Sequence, residues 1–202
     1  GQPQACSAMK AGGLLLPPCL AILLLASPLL AQTETVLGTD HVIGSGDQFL
    51  SVGAILAPTI RDYNIIVGIE LGGIGSIATA TPNGAEVIAS LENQAVGVAM
   101  GTQYSGLGTP LVSRQGHVAF SAFLTGPTDQ NSGIWAGMGQ THALIVREGY
   151  QAPDSPAGAL IASLKNPVLN DHGEVAFIGF LRTGAGGVNE ANNGGLWAGA
   201  AG

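Results

Sequence analysis

Residues 110–120 read Pro-Leu-Val-Ser-Arg-Gln-Gly-His-Val-Ala-Phe, and residues 167–177 read Pro-Val-Leu-Asn-Asp-His-Gly-Glu-Val-Ala-Phe. The two stretches lie 57 residues apart and share a glycine that is followed, one residue later, by Val-Ala-Phe. The same offset pairs Gln94-Ala95 with Gln151-Ala152 without a gap. Similarity at a fixed period of tens of residues is typical of chains built from repeated structural units. We therefore interpret the chain as a tandem array with a unit of about 57 residues.

Two further matches extend this repeat. Gly133-Ile-Trp-Ala-Gly137 recurs as Gly195-Leu-Trp-Ala-Gly199, slightly later than the offset requires because the intervening loop is longer. A more divergent copy begins at Pro58. The predicted units, of which the first and the last are partial, cover approximately 32–63, 64–117, 118–174 and 175–202.

Each unit is predicted to consist of strands joined by turns. His117 to Leu124 and Glu174 to Leu181 lack the alternation of a half-exposed strand, so both are predicted to be buried on two faces. Asn170 and Gly173 suit the first and fourth positions of a type I turn. Asp171 is expected to bond the local backbone of that turn, as short polar side chains do.

Hairpins are predicted at two equivalent places. Asn83-Gly84 separates two short apolar runs, and both residues tolerate positive φ. In the next unit the hairpin is predicted from Trp135 to Val146. The segment 151–166 is rich in proline and alanine, and its sequence allows either a short strand or a helical turn around Leu160 to Lys165.

Repeated antiparallel sheets that are apolar on both faces are typical of β-propeller blades and of β-rich solenoids. The predicted fold class is all-β, a β-propeller-like array of about three units, preceded by a signal-peptide helix. Residues 32–202 amount to three periods, fewer than the ~4 to 8 blades that close a ring. The sequence leaves open a fragment of a longer parent chain, a homo-oligomer and an open stack. A fragment is the favoured expectation, because the sequence stops directly after a strand signal.

The leader predicts export. Met9 and Lys10 precede the apolar run from Leu14 to Ala31, a pattern typical of a secretory signal peptide. Cleavage is predicted after Ala31, so that residues 1–31 comprise upstream residues plus the signal peptide and residues 32–202 the β-repeat domain. An uncleaved anchor is the alternative, since the run approaches the ~20 residues of a membrane span, but three prolines within it disfavour a helix. We predict a secreted, extracellular or cell-envelope protein that meets the membrane only through this peptide.

Composition excludes several classes of function. Both cysteines, Cys6 and Cys19, lie in the leader, which excludes disulfides, thiolate metal sites and a cysteine nucleophile from the predicted mature chain. The net charge of the whole chain is -7, and loss of Lys10 makes it more negative still. Nucleic acid is therefore not a predicted partner, because phosphates require a basic surface.

A family resemblance follows from the repeated motif. Asn170, Gly173, Ala176 and Phe177 form an NxxGxxAF pattern, accompanied by Gly-Leu-Trp-Ala-Gly at 195–199. With Val-Arg-Glu-Gly-Tyr-Gln-Ala-Pro at 146–153, this resembles the secreted bacterial tandem-repeat NxxGxxAF proteins, also called "choice-of-anchor" proteins. The resemblance covers most of residues 42–199 and implies an exported, β-propeller-like protein. It implies little about activity, and one unit departs from the motif at Ser113.

No catalytic constellation emerges from the titratable residues. The four histidines do not recur in repeat register and lack the spacing of metal ligands; they are His41, His117, His142 and His172. The carboxylates of Asp171 and Glu174, or of Glu148 and Asp154, would perform acid–base chemistry only if the fold brought them together. We predict no catalytic residue and no metal ligand, and a non-enzymatic protein.

Binding is predicted at one edge of the repeat, where the polar loops 125–133 and 183–195 differ in length. Variable loops on a regular scaffold are common binding sites. The two equivalent tryptophans suit a repeated core contact, and a sugar-stacking platform is the alternative. Oxygen donors in these loops make calcium the alternative to an absence of cofactors, although neither loop matches the twelve-residue calcium loop. The candidate binding residues are Asp129, Asn131, Trp135, Glu190, Asn192, Asn193 and Trp197.

These inferences predict a secreted, non-enzymatic β-repeat module that binds a glycan or protein ligand through its edge loops. Two alternatives stay open. One is a self-assembling structural or matrix protein, and the other is a propeller-type hydrolase with an unrecognised site.

Overall fold

The computed structural model describes the backbone of residues 42–45, 48–61, 64–71, 74–81 and 84–200, and the side chains of residues 75–79 and 86–200. The predicted leader lies outside these ranges. Within them the chain is all-β, as predicted, and its one helical segment is a 3₁₀ turn at Thr128–Gln130. The described part contains no helix with the length and apolar character needed to cross a membrane. The strands are β1 (Val42–Ser45), β2 (Gln48–Arg61), β3 (Asn64–Leu71), β4 (Ile74–Thr81), β5 (Gly84–Ser90), β6 (Tyr104–Leu107), β7 (Leu111–Val112), β8 (His117–Leu124), β9 (Ser132–Met138), β10 (Thr141–Arg147), β11 (Ile161–Leu169), β12 (Glu174–Leu181) and β13 (Gly194–Ala200).

The strands form three antiparallel sheets, and none of them closes on itself. Strands β1 to β5 make the first sheet in chain order. The second sheet has the order β10-β9-β8-β6, with the short β7 also pairing with β8. The third sheet has the order β11-β12-β13. The first and third sheets are therefore meanders of consecutive strands, whereas in the second sheet both β6 and β7 pair with β8.

The predicted strands and hairpins are confirmed. Strands β8 and β12 have the predicted bounds. Strands β4 and β5 pair antiparallel, with Thr81 opposite Gly84, and the residues that join them lie outside the described ranges. Strands β9 and β10 form the hairpin predicted between Trp135 and Val146.

The segment for which a strand and a helical turn were both open is a strand. Strand β11 pairs with β12 and carries a register shift between Lys165 and Val168. Asn166, in this bulge, has a φ of 51°. Asparagine is one of the few residues that adopt this left-handed conformation readily. The bulge also accommodates Pro167, which lacks the N–H that a regular ladder requires.

The second sheet is buried on both faces, as predicted for β8. Val118 and Phe120 pack into a core with Ile77 and Ile88 of the first sheet. Ala119, on the opposite face of β8, belongs to a second core that includes Val175 and Phe177 of the third sheet. The residues of the second sheet are mostly apolar because each of its faces meets another sheet. Phe123, at 58% exposure, is the exception on β8.

The corresponding prediction for β12 is wrong. Its residues alternate between buried and more exposed positions. Val175, Phe177 and Leu181 are buried, whereas Ile178 is 38% exposed. The physical reason is that, among the described residues, the third sheet packs against a neighbour with one face alone.

The turn at 170–173 is confirmed, but Asp171 plays a different part from the one expected. Gly173 N–H donates to the Asn170 carbonyl at 3.2 Å. It is Asn170, through Oδ1, that bonds the local backbone by accepting from the N–H groups of His172 and Glu174, both at 2.9 Å. Asp171 Oδ1 instead accepts from Arg114 N–H at 3.1 Å and thereby joins two turns.

Several hydrogen bonds recur at the offset found in the sequence. Gly116 N–H donates to the Ser113 carbonyl at 3.2 Å, the same distance as the Gly173 bond of the following turn. Gln94 Oε1 accepts from Gly101 N–H at 2.7 Å. Its counterpart Gln151 accepts from Gly158 N–H at 2.9 Å. The loops that lead into the second and third sheets are therefore shaped by matching contacts.

Candidate functional site

The predicted binding loops lie at corresponding edges of the second and third sheets, one after β8 and the other after β12. Asp129, in the first loop, forms a salt bridge with Arg182, which directly precedes the second loop, with 3.0 Å between Oδ2 and the guanidinium nitrogen. Arg182 also donates to the Asp129 carbonyl. The Asp129 carboxylate is therefore engaged in holding the two loops together.

The amides of the second loop mostly shape the loop itself. Asn192 Oδ1 accepts from Asn189 N–H at 2.6 Å, and its amide donates to the Gly187 carbonyl at 3.2 Å. The carbonyls of Asn131 and Asn193 each accept a backbone bond of 2.7 Å where β8 and β12 end. Glu190 is exposed. In the part of the chain with described side chains, no group of three or more His, Cys, Asp or Glu residues is placed to hold a metal ion.

The two tryptophans occupy equivalent positions in their sheets, where each stacks on a phenylalanine, but they differ in solvent exposure. Trp135 is completely buried, stacks on Phe120 at 5.9 Å and donates to the Val96 carbonyl at 2.8 Å. Trp197 is partly exposed, stacks on Phe177 at 6.2 Å and donates to the Pro153 carbonyl at 3.3 Å. Trp135 is thus a core contact with no free face for a sugar, which corrects its inclusion among the candidate binding residues.

A cavity of about 470 Å³, which the sequence did not predict, lies between the second and third sheets. Strands β6, β8 and β9 form one wall, and the bulged part of β11 forms the other. Its lining consists of Gly106, Leu107, Gly108, Ser121, Ala122, Phe123, Ser132, Gly133, Ile134, Glu148, Leu164, Lys165, Asn166 and Pro167.

Glycines and the bulge explain why this space is open. A Cβ on Gly108 would collide with Ser121 Oγ, so the backbone can lie there only without a side chain. Across the cavity, the extra residue at Asn166 bends β11, as bulges do. The wall of β11 is therefore not flat against the second sheet at this point.

The polar group that stands out in the cavity is Glu148. The residue is only 9% exposed and directly follows β10. Its backbone N–H donates to the Ser132 carbonyl at 2.9 Å, but its carboxylate has no hydrogen-bond or salt-bridge partner among the described residues. The residue as a whole is buried, but its carboxylate oxygens are not buried polar atoms, and they therefore reach the solvent of the cavity. An acceptor is therefore available in this cavity for the donors of a ligand.

An aromatic side chain adds to the character of the cavity. Phe123 presents an exposed aromatic ring at the rim of the cavity. Lys165 also lines the cavity, but it pairs with Ile178, and its ammonium nitrogen lies 5.3 Å from the centre of the Phe180 ring on the outer face of the third sheet. A carboxylate and an apolar ring face are thus combined in one space.

His142 is a second buried titratable group, but it lies in the first core. Its Nε2 is 3.4 Å from the Tyr104 hydroxyl, and its Nδ1 is buried without a partner. Burial lowers the pKa of His142 and raises the pKa of Tyr104. The imidazole also meets Phe120 edge-on at 5.5 Å. It is therefore a neutral core residue rather than a surface ligand.

Comparison with known proteins places the chain in a family. A model for a family of unknown function, DUF7453, matches residues 66–202. The chain belongs to DUF7453. The DUF7453 match begins within β3 and contains the second and third sheets together with the cavity between them. No curated protein and no solved structure matches the chain.

The sequence contained one signal that would have led to Glu148. In repeat register Glu148 corresponds to Leu91, which packs against the first core. The second interface between sheets therefore has an acid where the first has an apolar side chain. An acid in place of a partly buried leucine, in an otherwise similar unit, is thus the feature of the sequence that points to this cavity.

Proposed function

We propose that this chain is a secreted, non-enzymatic module that binds a glycan in the cavity between its second and third sheets. The observation that carries the proposal is Glu148, a residue that is 9% exposed overall, lines the cavity and has a solvent-accessible carboxylate with no partner among the described residues.

The chemistry of the lining matches that of a sugar. Hydroxyl groups of a sugar can donate to Glu148 and accept from the Asn166 amide. The exposed ring of Phe123 offers an apolar face for the C–H groups of a pyranose. Few polar groups at the rim of a largely apolar cavity are the usual composition of a small-molecule site.

Binding is favoured over hydrolysis by the number of acids. Most glycoside hydrolases use two carboxylates that flank the scissile bond. Glu148 is the one acidic side chain in the lining of this cavity. Glu148 is thus proposed to act as a hydrogen-bond acceptor for the ligand.

We further propose that the three sheets are propeller-like units of a tandem repeat. The matching turns at 113–116 and 170–173, and the matching loops that contain Gln94 and Gln151, support this architecture. Face-to-face packing of successive meanders supports it as well. Export is proposed on the sequence of the leader alone.

The test is a glycan array, followed by calorimetric titration of the strongest hit. Glu148→Gln preserves the side-chain size and removes the charge. A hydrogen bond to a charged group is worth about 1.5–3 kcal/mol, so we expect binding to weaken by about ten- to a hundred-fold. Phe123→Ala should weaken it as well.

Glu190→Gln is the matched control, because Glu190 is an exposed carboxylate in the loop first predicted to bind. It should leave the affinity unchanged. The proposal fails if no glycan binds, if Glu148→Gln binds as well as the original protein, or if Glu190→Gln is the variant that loses affinity.

A further inference from the structure

Glu148 and Phe123 lie in one row across the second sheet, with Ser132 between them. Phe123 lies opposite Ser132 in the pairing of β8 with β9. On the other side of β9, Glu148 N–H donates to the Ser132 carbonyl at 2.9 Å. Laterally opposed residues share a face of the sheet, and all three residues line the cavity. Because neighbouring strands lie about 4.8 Å apart, the backbones of the acid and the aromatic residue are about 10 Å apart across Ser132.

The same place in the preceding unit carries an apolar contact. Leu91 N–H donates to the Gly75 carbonyl at 2.9 Å, and at the repeat offset this bond corresponds to the one between Glu148 and Ser132. Leu91 packs against the first core, and a Cβ on Gly75 would lie 3.2 Å from the Leu91 side chain. The second unit thus has a carboxylate and a hydroxyl group where the first has a leucine and a glycine.

Among the residues with described side chains, every arginine and lysine is engaged away from Glu148. The Arg147 Nε donates to the Gln130 carbonyl at 2.8 Å. The Lys165 ammonium nitrogen lies over the Phe180 ring on the outer face of the third sheet. The other two cations form salt bridges elsewhere, Arg114 with Asp171 and Arg182 with Asp129. The negative charge of Glu148 therefore has no paired counter-charge in this part of the protein.

We propose that the glycan bound in this cavity is an amino sugar whose protonated amine pairs with Glu148. This inference rests on the proposed function and narrows it to one class of ligand. The amine supplies the counter-charge, and a hydrogen bond between two charged groups is stronger than one that a neutral hydroxyl group donates. The ring of Phe123, on the other side of Ser132, is placed for the apolar face of the neighbouring sugar. A neutral or N-acetylated sugar would leave the charge of Glu148 without a counter-charge.

The test is calorimetric titration of the full chain with a glucosamine tetrasaccharide. Its fully N-acetylated form and cellotetraose are the matched probes, because they share its backbone linkage and carry no positive charge. We expect the glucosamine tetrasaccharide to bind at least about tenfold more tightly than either of them. Glu148→Gln should abolish this preference, because it removes the charge and preserves the size of the side chain.

Glu86→Gln is the control, because Glu86 is an exposed carboxylate of the first sheet. It should keep the preference, which separates a contact with Glu148 from the general attraction of a chain with a net charge of -7 for a cationic ligand. A preference that survives in Glu148→Gln, or a neutral glycan that binds through Glu148 at least as tightly, would overturn this inference and leave the proposed function intact. Failure of the glucosamine tetrasaccharide to bind overturns this inference alone, whereas failure of every glycan on the array overturns both.

Discussion

Replacing Trp135 by phenylalanine tests the packing between the first and second sheets. The change removes the 2.8 Å hydrogen bond to the Val96 carbonyl, worth about 1 kcal/mol. It also leaves a void beside Phe120 and Tyr104, whose rings lie 5.9 and 5.2 Å from the indole. Loss of buried ring atoms adds about 1–2 kcal/mol. We expect the free energy of unfolding to fall by about 2–3 kcal/mol in total.

Trp197→Phe is the matched comparison. Trp197 is partly exposed, and its hydrogen bond is longer, at 3.3 Å. The same substitution should therefore cost about 1 kcal/mol or less. Urea denaturation followed by far-ultraviolet circular dichroism measures both values. Equal losses for the two variants, or a loss below about 0.5 kcal/mol for Trp135→Phe, would refute the reasoning.

The remaining predictions concern a histidine, a turn glycine and the cavity acid. Because burial lowers the pKa of His142, the unfolded chain gains a proton there at a higher pH than the folded chain does. The free energy of unfolding should therefore fall as the pH drops below about 6.5 and level off below the folded-state pKa. His142→Gln should reduce the difference in the free energy of unfolding between about pH 7.5 and pH 5, and an unchanged difference contradicts this. In chemical denaturation, Gly173→Ala should lower the free energy of unfolding by at least about 1 kcal/mol more than Gly184→Ala does. Both glycines have positive φ, but a Cβ at 173 would lie 2.6 Å from the His117 ring, whereas a Cβ at 184 would meet nothing. Equal losses would show that the contact with His117 is unimportant. Glu148→Gln should leave the melting temperature of the ligand-free protein nearly unchanged, because the carboxylate oxygens reach solvent and have no partner among the described residues. A clearly lower melting temperature would indicate that the carboxylate has a stabilising role.

The repeat in the sequence was sufficient to predict the strands that form the centre of each sheet. Strands β8 and β12 were predicted with their observed bounds because the apolar residues, the turn glycine and the turn asparagine all agree locally. Their burial was predicted less well. Ala119 and Ala176 are alike in sequence, and only the presence of a neighbouring sheet distinguishes buried Ala119 from its counterpart.

The candidate site was predicted only in part, for a related reason. Polar loop residues such as Asp129 and Asn192 suggested binding, but their side chains pair within the protein. The cavity depends on a bulge at Asn166 and on the close approach of Gly108 to β8, and both arise from the way two sheets meet. A pattern along one strand does not contain that information.

A crystal structure of the protein with its strongest-binding oligosaccharide would show where the sugar binds. We predict a sugar between the second and third sheets, with a hydroxyl group within hydrogen-bond distance of the Glu148 carboxylate and a ring face against Phe123. A sugar bound instead to the loop at 183–193, with the cavity empty, would contradict it.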